Sequence, residues 1–224
     1  MGVAAALAVL SAGLVGAQLA GSSTVPQELP LERLLQRVQE RHRTMKDLRA
    51  RFRQRQIQRV GAVPIVREGW WLVRTPGRLR IEYDDPPNVF VADGERMYWY
   101  LAEDHQVQVF SPDSMDPAHV PTLYLSGQGD LLQDFDISGT RWETLLGPGN
   151  IQIRLQPRSL DTRFTHLVLE VEPDTATVVR LVWFGLLGEA NDYQFFDVET
   201  DVGLADELFQ FTIPSDAEVE YLGG

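Results

Sequence analysis

The residue types that most often perform catalysis or bind metals are dispersed along this chain of 224 residues. No two of the four histidines have the spacing of metal ligands. They are His42, His105, His119 and His166. Asp84 and Asp85 could act as paired carboxylates, but two prolines follow them, which favours a solvated turn at a strand end. The acidic loop around Asp201 and Asp206 lacks the glycine that a calcium loop requires. Nucleophile motifs and phosphate-binding glycine loops are also absent, so the sequence predicts no enzyme, no metal site and no cofactor.

The charge balance excludes two classes of partner. The chain has 20 basic and 32 acidic residues, a net charge of −12 and an isoelectric point near 4.7. Nucleic-acid binding needs a basic surface, and so does adsorption to an anionic membrane. The chain has no cysteine, which excludes disulfides, thiol chemistry and acylation of this chain as a lipoprotein.

The amino end has the composition of a targeting segment. The stretch from Gly2 to Ala20 has no charge and is rich in alanine, leucine and valine, with small residues at two candidate cleavage sites. We interpret residues 1–20 as a signal peptide, residues 21–30 as a flexible lead-in and residues 31–224 as a single domain. An uncleaved anchor is the alternative, since the apolar run is nearly long enough to span a membrane. Either way, the remainder is expected outside the cytoplasm.

The first element after this segment is predicted to be a helix. Between Leu31 and Leu48, apolar residues recur at helical spacing. The helix is expected to pack on a sheet, because its polar face has both signs of charge, which argues against a position on a membrane surface. His42 lies on the apolar side, where a packed histidine is commoner than a ligand.

The stretch from Val66 to Tyr100 predicts a continuous antiparallel sheet. Apolar and charged residues alternate strictly from Leu79 to Tyr83, which is the period of a half-buried strand. The turn Thr75–Arg78 has proline and glycine where a tight turn needs them, so its two flanking strands should pair. Asp93-Gly94 predicts a second hairpin.

Another alternation, from Arg49 to Val60, places four arginines on one face of a strand. They are Arg49, Arg51, Arg53 and Arg55. A solvated strand face is the interpretation we favour. A docking surface for an acidic partner is the alternative.

The strand pattern is interrupted between residues 111 and 135. Two short apolar pieces, Thr122–Gly127 and Asp130–Phe135, predict short helices that either plug the apolar face of the sheet or cover it as a lid. Six further runs with turn signals between them predict a barrel or a strongly curved sheet. The runs are Phe135–Leu145, Ile151–Leu155, Phe164–Val171, Val178–Phe184, Tyr193–Val198 and Phe209–Ile213.

In their order and spacing, these pieces resemble the periplasmic outer-membrane lipoprotein carrier family, LolA. The resemblance covers essentially residues 31–220 and depends on the first helix together with several short sequences. These are Ala50-Arg51-Phe52-Arg53-Gln54, Gly69 with Arg74-Thr75-Pro76-Gly77, Leu79–Tyr83 with Pro86, Val91-Ala92-Asp93-Gly94, Met97–Tyr100, Pro121 and Phe209–Pro214.

The resemblance implies a mainly β fold with some helix, namely an unclosed antiparallel β-barrel (half-barrel) covered by a helical lid. It implies a periplasmic carrier whose apolar cavity takes the acyl chains of lipoproteins from the inner to the outer membrane. By the same resemblance, an inner-membrane ABC-type complex releases cargo to the carrier and an outer-membrane acceptor receives it. The carrier is expected to be a monomer.

The resemblance and the strand alternation together imply the residues of the site. The expected lining of the acyl-chain cavity is Phe52, Trp71, Val73, Leu79, Ile81, Tyr83, Leu123 and Leu125. In the family, an arginine before the turn proline latches the lid by hydrogen bonds to helix backbone. Thr75 occupies that position here and Arg74 precedes it, so these two residues are the latch candidates.

Other functions are compatible with the same sequence. A half-barrel of this kind could sense or bind lipids or lipoproteins without transporting them, and a carrier could take another lipid. A hydrolase is the weakest alternative, because the chain has no nucleophile arrangement.

Overall fold

The computed structural model describes residues 30–59, 61–110, 124–159 and 164–222. Helix α1 spans Leu31–Thr44, the one-turn helix α2 spans Leu131–Asp134, and a 3₁₀ helix spans Asp206–Phe209. The strands are β1 (Asp47–Ile57), β2 (Ile65–Arg74), β3 (Arg78–Tyr83), β4 (Val89–Ala92), β5 (Met97–Leu101), β6 (Gln106–Phe110), β7 (Phe135–Gly139), β8 (Ile151–Pro157), β9 (Phe164–Glu172), β10 (Thr177–Gly185), β11 (Ala190–Thr200) and β12 (Glu218–Leu222). No helix in this part of the chain is long and apolar enough to cross a membrane.

All these strands belong to one sheet whose two edges do not meet. Its order is β12-β6-β5-β4-β3-β2-β1-β11-β10-β9-β8-β7. Neighbouring strands are antiparallel, except that β12 pairs parallel with β6. The predicted fold class, a mainly β, unclosed antiparallel sheet with a few helices, is confirmed.

Both hairpins expected from local turn signals form. Strands β2 and β3 pair with Val73 opposite Leu79, and Gly77 in their turn has a φ of 71°. Strands β4 and β5 pair across Gly94, which has a φ of 102°. Only glycine adopts such angles without strain, so the turn residues determine the register of these strands.

Helix α1 covers the concave face of the sheet. Leu34, Leu35 and Val38 have no exposed surface and lie in one apolar cluster with the inward residues of β1, β2 and β3. Burial of one such side chain is worth about 1.5–3 kcal/mol. Apolar packing therefore contributes most of the free energy that holds α1 on the sheet.

The arginine row of β1 lies on the opposite, convex face, and each arginine has an acidic partner. Arg51 lies 2.6 Å from Asp84, and Arg53 lies 2.8 Å from Glu68. Arg49 pairs with Glu199, and Arg55 with Glu143 and Asp192. Because this positive charge is balanced locally, the arrangement supports the solvated strand face rather than a docking surface for an acidic partner.

The predicted strand Phe135–Leu145 is wrong beyond Gly139. Strand β7 ends there, and residues 140–150 form a loop on the convex face. The loop is held by side chains of the sheet, because the backbone N–H of Trp142 donates to Gln152 (2.6 Å) and that of Leu146 to the buried Glu170 (2.5 Å).

The predicted strand Phe209–Ile213 is also wrong. Its first residue ends the 3₁₀ helix, and the rest is extended backbone that joins no strand. The ring of Phe211 instead packs against Tyr98 of β5, with 5.3 Å between ring centroids, and Arg80 of β3 donates to the carbonyl of Leu208 at 3.2 Å. The apolar residues of this segment therefore cover the convex face instead of extending the sheet.

Candidate functional site

The predicted cavity residues of β1, β2 and β3 lie together on the concave face, because alternate residues of paired strands point to the same side. All of them are buried in one cluster, with Tyr83 the most exposed at 7%. They are Phe52, Trp71, Val73, Leu79, Ile81 and Tyr83. Leu125 joins the same cluster from the segment before α2, and Leu123 lies outside the described residues.

Aromatic rings form the centre of this face. The ring of Phe52 contacts Tyr83 at 5.3 Å and Trp71 at 6.3 Å between centroids. Tyr193 and Phe195 of β11 complete the group, at 5.7 Å from Phe52 and 5.1 Å from Trp71 respectively. Sequence reasoning missed these two residues as site residues, because nothing local indicates that β11 pairs with β1. We refer to these five residues as the aromatic cluster.

Beneath the helices the concave face is almost filled. The cavity between α1 and the sheet has a volume of about 20 Å³, which is room for about one water molecule. It is lined by His42, Leu48, Ala50, Trp71, Val73, Leu125, Val178, Phe195 and Val198. An acyl chain cannot enter this cavity, which we call the lid pocket, unless the covering segments move.

The covering segments are joined to each other by polar contacts. The buried Nδ1 of His42 lies 2.7 Å from the carbonyl oxygen of Leu125, so it is the protonated nitrogen and donates. Burial lowers the pKa of His42 to about 4, so the ring is neutral at pH 7. On the same helix, Gln39 accepts the backbone N–H of Leu131 at 2.7 Å. Helix α1 and the segment around α2 therefore form one covering layer, which we call the lid.

The two latch candidates point in different directions. The Thr75 hydroxyl donates to the carbonyl oxygen of His42 at 3.3 Å, so it contacts the backbone at the end of α1. Arg74 lies on the other side of the sheet, where it pairs with Asp206 at 2.7 Å and donates to the carbonyl of Leu204. Of the two, only Thr75 contacts the lid.

A third residue, which the sequence did not single out, links the lid to the sheet. Arg37 of α1 donates to the backbone carbonyls of Pro173 and Asp174, at 2.6 Å each, in the turn between β9 and β10. In contrast to the family latch, in which the arginine precedes the turn proline and the carbonyls are on a helix, this arginine is on the helix and the carbonyls are in a turn between two strands. In the sequence, Arg37 is one of several arginines on the polar face of α1, so nothing distinguishes it as the residue that contacts the turn.

A larger space lies at the other end of the concave face. It has a volume of about 470 Å³ and is lined by Gln54, Gln56, Gln58, Arg67, Tyr83, Asn88, Trp99, Leu101, Trp183, Leu187, Glu189, Asn191 and Tyr193. Leu48 and Ala50, near the start of β1, line the lid pocket. This space is lined instead by Gln54 and Gln56 of β1 and by Gln58, which follows the strand. We call it the amide cleft, since side-chain amides form much of its wall. Sequence reasoning did not predict it.

The polar groups of the amide cleft are ordered. The side-chain amide of Gln54 donates to Asn191 at 2.8 Å and to the hydroxyl of Tyr193 at 2.9 Å, and the hydroxyls of Tyr83 and Tyr193 lie 3.3 Å apart. Burial raises the pKa of Tyr83 to about 12 and that of Tyr193 well above its usual value. Both phenols are therefore neutral hydrogen-bonding groups.

Metal binding finds no support in the geometry. Within the described ranges, no group of three or more histidine or acidic side chains is placed to hold a metal ion. His166 stacks on Phe184 at 4.1 Å, and His105 pairs with Asp216 at 3.3 Å. What the arrangement offers is an apolar face under a lid, next to a polar cleft.

Comparison with known proteins identifies relatives for this arrangement. The family model described as "Outer membrane lipoprotein carrier protein LolA" matches residues 43–212. The outer-membrane lipoprotein carrier protein of Methylobacillus flagellatus is 25% identical over 173 residues, which cover 77% of this chain and 81% of that protein. The protein of the same description from Legionella pneumophila strain Lens is 27% identical over 154 residues, covering 67% and 72%.

A solved structure supports the fold alone. The crystal structure of an uncharacterized conserved protein from Thermus thermophilus matches with a TM-score of 0.52 and 14% identity. The match covers 86% of this chain and 99% of that chain.

Proposed function

The chain belongs to the outer-membrane lipoprotein carrier family LolA, and on that premise we propose that it is a periplasmic carrier of acylated lipoproteins. In this proposal the acyl chains bind to the concave face of the sheet, beneath the lid. The observation that supports it best is the apolar cluster shared by the lid and strands β1 to β3. The family description and these relatives name a carrier.

Loading on this proposal requires the lid to move. Exposure of an acyl chain to water costs about 0.8 kcal/mol per CH₂, so the cargo needs continuous apolar cover during transfer. The lid pocket has only about 20 Å³ of free volume, so the lid must leave the sheet as chains enter. Cargo then covers the apolar face that the lid leaves, so this face of the sheet does not become exposed to water.

The contacts of the lid suit such an exchange. The lid is attached to the sheet by apolar packing and by separate hydrogen bonds, among them Arg37 to the β9–β10 turn, Thr75 to the end of α1 and the backbone N–H of Gly77 to the carbonyl of Ser126. Each such hydrogen bond contributes about 0.5–1.5 kcal/mol, or somewhat more for the charged donor. The closed lid is therefore held firmly enough to protect the sheet and weakly enough to open when cargo competes for it.

The direction of transport must come from partners. By family membership, the partners we propose are an inner-membrane ABC-type complex that releases lipoproteins to this carrier and an outer-membrane acceptor that receives them. The carrier acts as a monomer. Transfer toward the acceptor requires only that the acceptor bind the chains more tightly than this concave face does.

Native mass spectrometry of the protein secreted into a bacterial periplasm tests the proposal. We expect a fraction of the protein to have the additional mass of an acylated protein, and addition of an outer-membrane acceptor should remove that mass. Recovery of only unloaded protein from cells that export lipoproteins would contradict the carrier function. Retention of the cargo in the presence of the acceptor would instead support a binding or sensing module.

A further inference from the structure

We propose that the amide cleft binds the polar junction of the cargo, namely the ester and amide groups that join the acyl chains to the amino end of an acylated protein. This inference rests on the proposed carrier function and names what is recognised beyond the acyl chains. The position of the cleft, its charge and its hydrogen-bonding groups each support it.

The cleft and the lid pocket are adjacent parts of one concave face. Tyr83 and Tyr193 line the cleft, and Trp71 and Phe195 line the lid pocket. Phe52 lies between them and contacts both tyrosines and Trp71. A single layer of aromatic side chains therefore separates the two spaces. A ligand with acyl chains under the lid would place the end that bears its polar groups in the cleft.

The charge of the cleft favours a neutral ligand group. Among its lining residues are one guanidinium, Arg67, and one carboxylate, Glu189. The guanidinium already donates to Gln56 at 3.0 Å, and the carboxylate accepts the backbone N–H of Leu187 at 3.0 Å. A phosphate is best held by several cations, and this wall has one guanidinium, one donor of which is already used on the amide of Gln56. Ester and amide groups need only neutral donors and acceptors.

The hydrogen-bonding groups of the wall match an amide. Both N–H groups of the Gln54 side chain are used within the wall, on Asn191 and Tyr193. Within the described part of the chain, the amide oxygen of Gln54 and the amide nitrogen of Asn191 have no partner. The wall thus keeps one acceptor and one donor, the pair that a peptide group complements.

A tryptophan adds a further donor. Trp183 lines the same cleft and is 6% exposed, and its indole N–H has no partner among the described residues. A buried N–H without a hydrogen-bond partner lowers the stability of the fold. After a small shift of the ring, this N–H could donate to a carbonyl of the ligand, and the new hydrogen bond would favour binding. This N–H and the free amide nitrogen of Asn191 suit the ester or amide carbonyls of the cargo, and the free amide oxygen of Gln54 suits an amide N–H.

Binding of three probes to the full protein tests the inference. The probes are a tripalmitoylated cysteinyl peptide, free palmitate and phosphatidylglycerol, with affinity measured by titration. In the variant Gln54→Leu/Asn191→Leu the apolar wall remains and the amides are lost. We expect its affinity for the acylated peptide to fall about tenfold, and its affinity for palmitate to stay within about twofold.

Several outcomes would overturn the inference. Unchanged binding of the peptide by the variant would show that the cleft does not recognise the junction. Equal loss of peptide and palmitate binding would show that the two amides serve packing alone. If phosphatidylglycerol binds more tightly than the peptide and loses affinity in parallel, the cleft recognises a lipid headgroup instead.

Two controls keep these outcomes interpretable. The exposed Gln58 also lines the cleft. Gln58→Leu removes no buried contact, so this variant should fold even if the double variant does not. We expect it to lower the affinity for the peptide by less than the double variant does. An unmodified chain that binds neither palmitate nor the peptide would contradict the carrier function itself. Binding of both probes with no effect of any cleft variant contradicts only the recognition of the junction.

Discussion

Individual residues of the concave face could be predicted from strand alternation, but their partners could not. Alternation placed Leu79 on an inward face, and the family resemblance added Phe52 and Trp71 as its neighbours; all three are buried in the structure. Alternation gave no indication that Tyr193 would complete the aromatic cluster, because that contact depends on the pairing of two strands about 140 residues apart. His42 was expected as a packed residue, and only the structure shows that it joins two parts of the lid.

His42 should make stability depend on pH. Its folded pKa is about 4 against an ordinary 6.5, so between these values the unfolded chain binds the proton and the folded one does not. Stability should therefore fall as pH decreases from 6.5 to 4, by up to about 3 kcal/mol. His166, whose pKa burial also lowers to about 4, contributes in the same direction.

Urea unfolding at several pH values measures this effect. His42→Asn keeps a donor near the carbonyl of Leu125, but the new side chain does not titrate. The variant retains His166, so the difference in pH dependence between the variant and the unmodified chain measures the contribution of His42 alone. We expect the variant to lose a large part of the pH dependence between 6.5 and 4. An equal dependence in both proteins would show that His42 is not buried in a neutral form.

Gly69 should be intolerant of any side chain. A Cβ at this position would lie 1.9 Å from the backbone oxygen of Glu82 and 2.8 Å from the ring of Phe52. Gly69→Ala must therefore separate β2 from β3 or displace the ring, which we expect to cost about 1–3 kcal/mol of unfolding free energy.

A second strand glycine provides the matched control for this experiment. A Cβ at Gly139 of β7 would be 3.6 Å from Leu31, an ordinary contact. Gly139→Ala should change unfolding free energy by less than about 0.5 kcal/mol. If chemical denaturation finds the two variants equally stable, the close packing of Phe52 over Gly69 is wrong.

At the scale of elements, turn residues were reliable signals, strand alternation was less so, and pairings between distant strands had no signal at all. The hairpins at Gly77 and Gly94 follow from turn residues a few positions apart, and both are confirmed. The pairing of β1 with β11, and of β12 with β6, has no local signal. The segment around Phe211 was wrongly predicted as a strand, because an extended segment whose apolar residues pack on a convex sheet face has the same alternation as a strand.

The link between lid and sheet gives a prediction at this scale. Arg37→Ala removes both hydrogen bonds from α1 to the β9–β10 turn. Because the position is exposed, we expect the free energy that holds α1 on the sheet to fall by about 1 kcal/mol. Hydrogen exchange of the α1 amides should then become about fivefold faster, and the free energy of global unfolding should fall by no more than about the same 1 kcal/mol.

Arg33→Ala is the control for charge and helix propensity, since Arg33 is an exposed arginine of the same helix. It should leave the exchange of α1 close to that of the unmodified chain. Equal acceleration by the two variants would mean that loss of charge, and not loss of the link to the turn, loosens the helix.

At the scale of the whole molecule, the proposed carrier function depends on a lid that closes the apolar face when no cargo is bound. The resemblance found in the sequence predicted the open sheet and the family, and both are confirmed. It did not predict that the face would be nearly filled in the closed state or that a polar cleft would adjoin it. Both properties depend on how side chains from distant strands pack, which no local pattern specifies.

A lid that can be locked provides the most direct measurement. The chain has no cysteine, so Arg37→Cys/Asp174→Cys introduces one exposed pair between α1 and the β9–β10 turn, which a short, reducible crosslinker can bridge. Arg49→Cys/Glu199→Cys, a pair on the convex face, is the matched control.

Binding of the tripalmitoylated peptide is measured before crosslinking, after it, and after reduction. The account predicts that the locked lid lowers affinity at least about tenfold, that reduction restores it, and that the convex-face crosslink has no effect. Unchanged affinity with the lid locked would show that acyl chains do not bind beneath it.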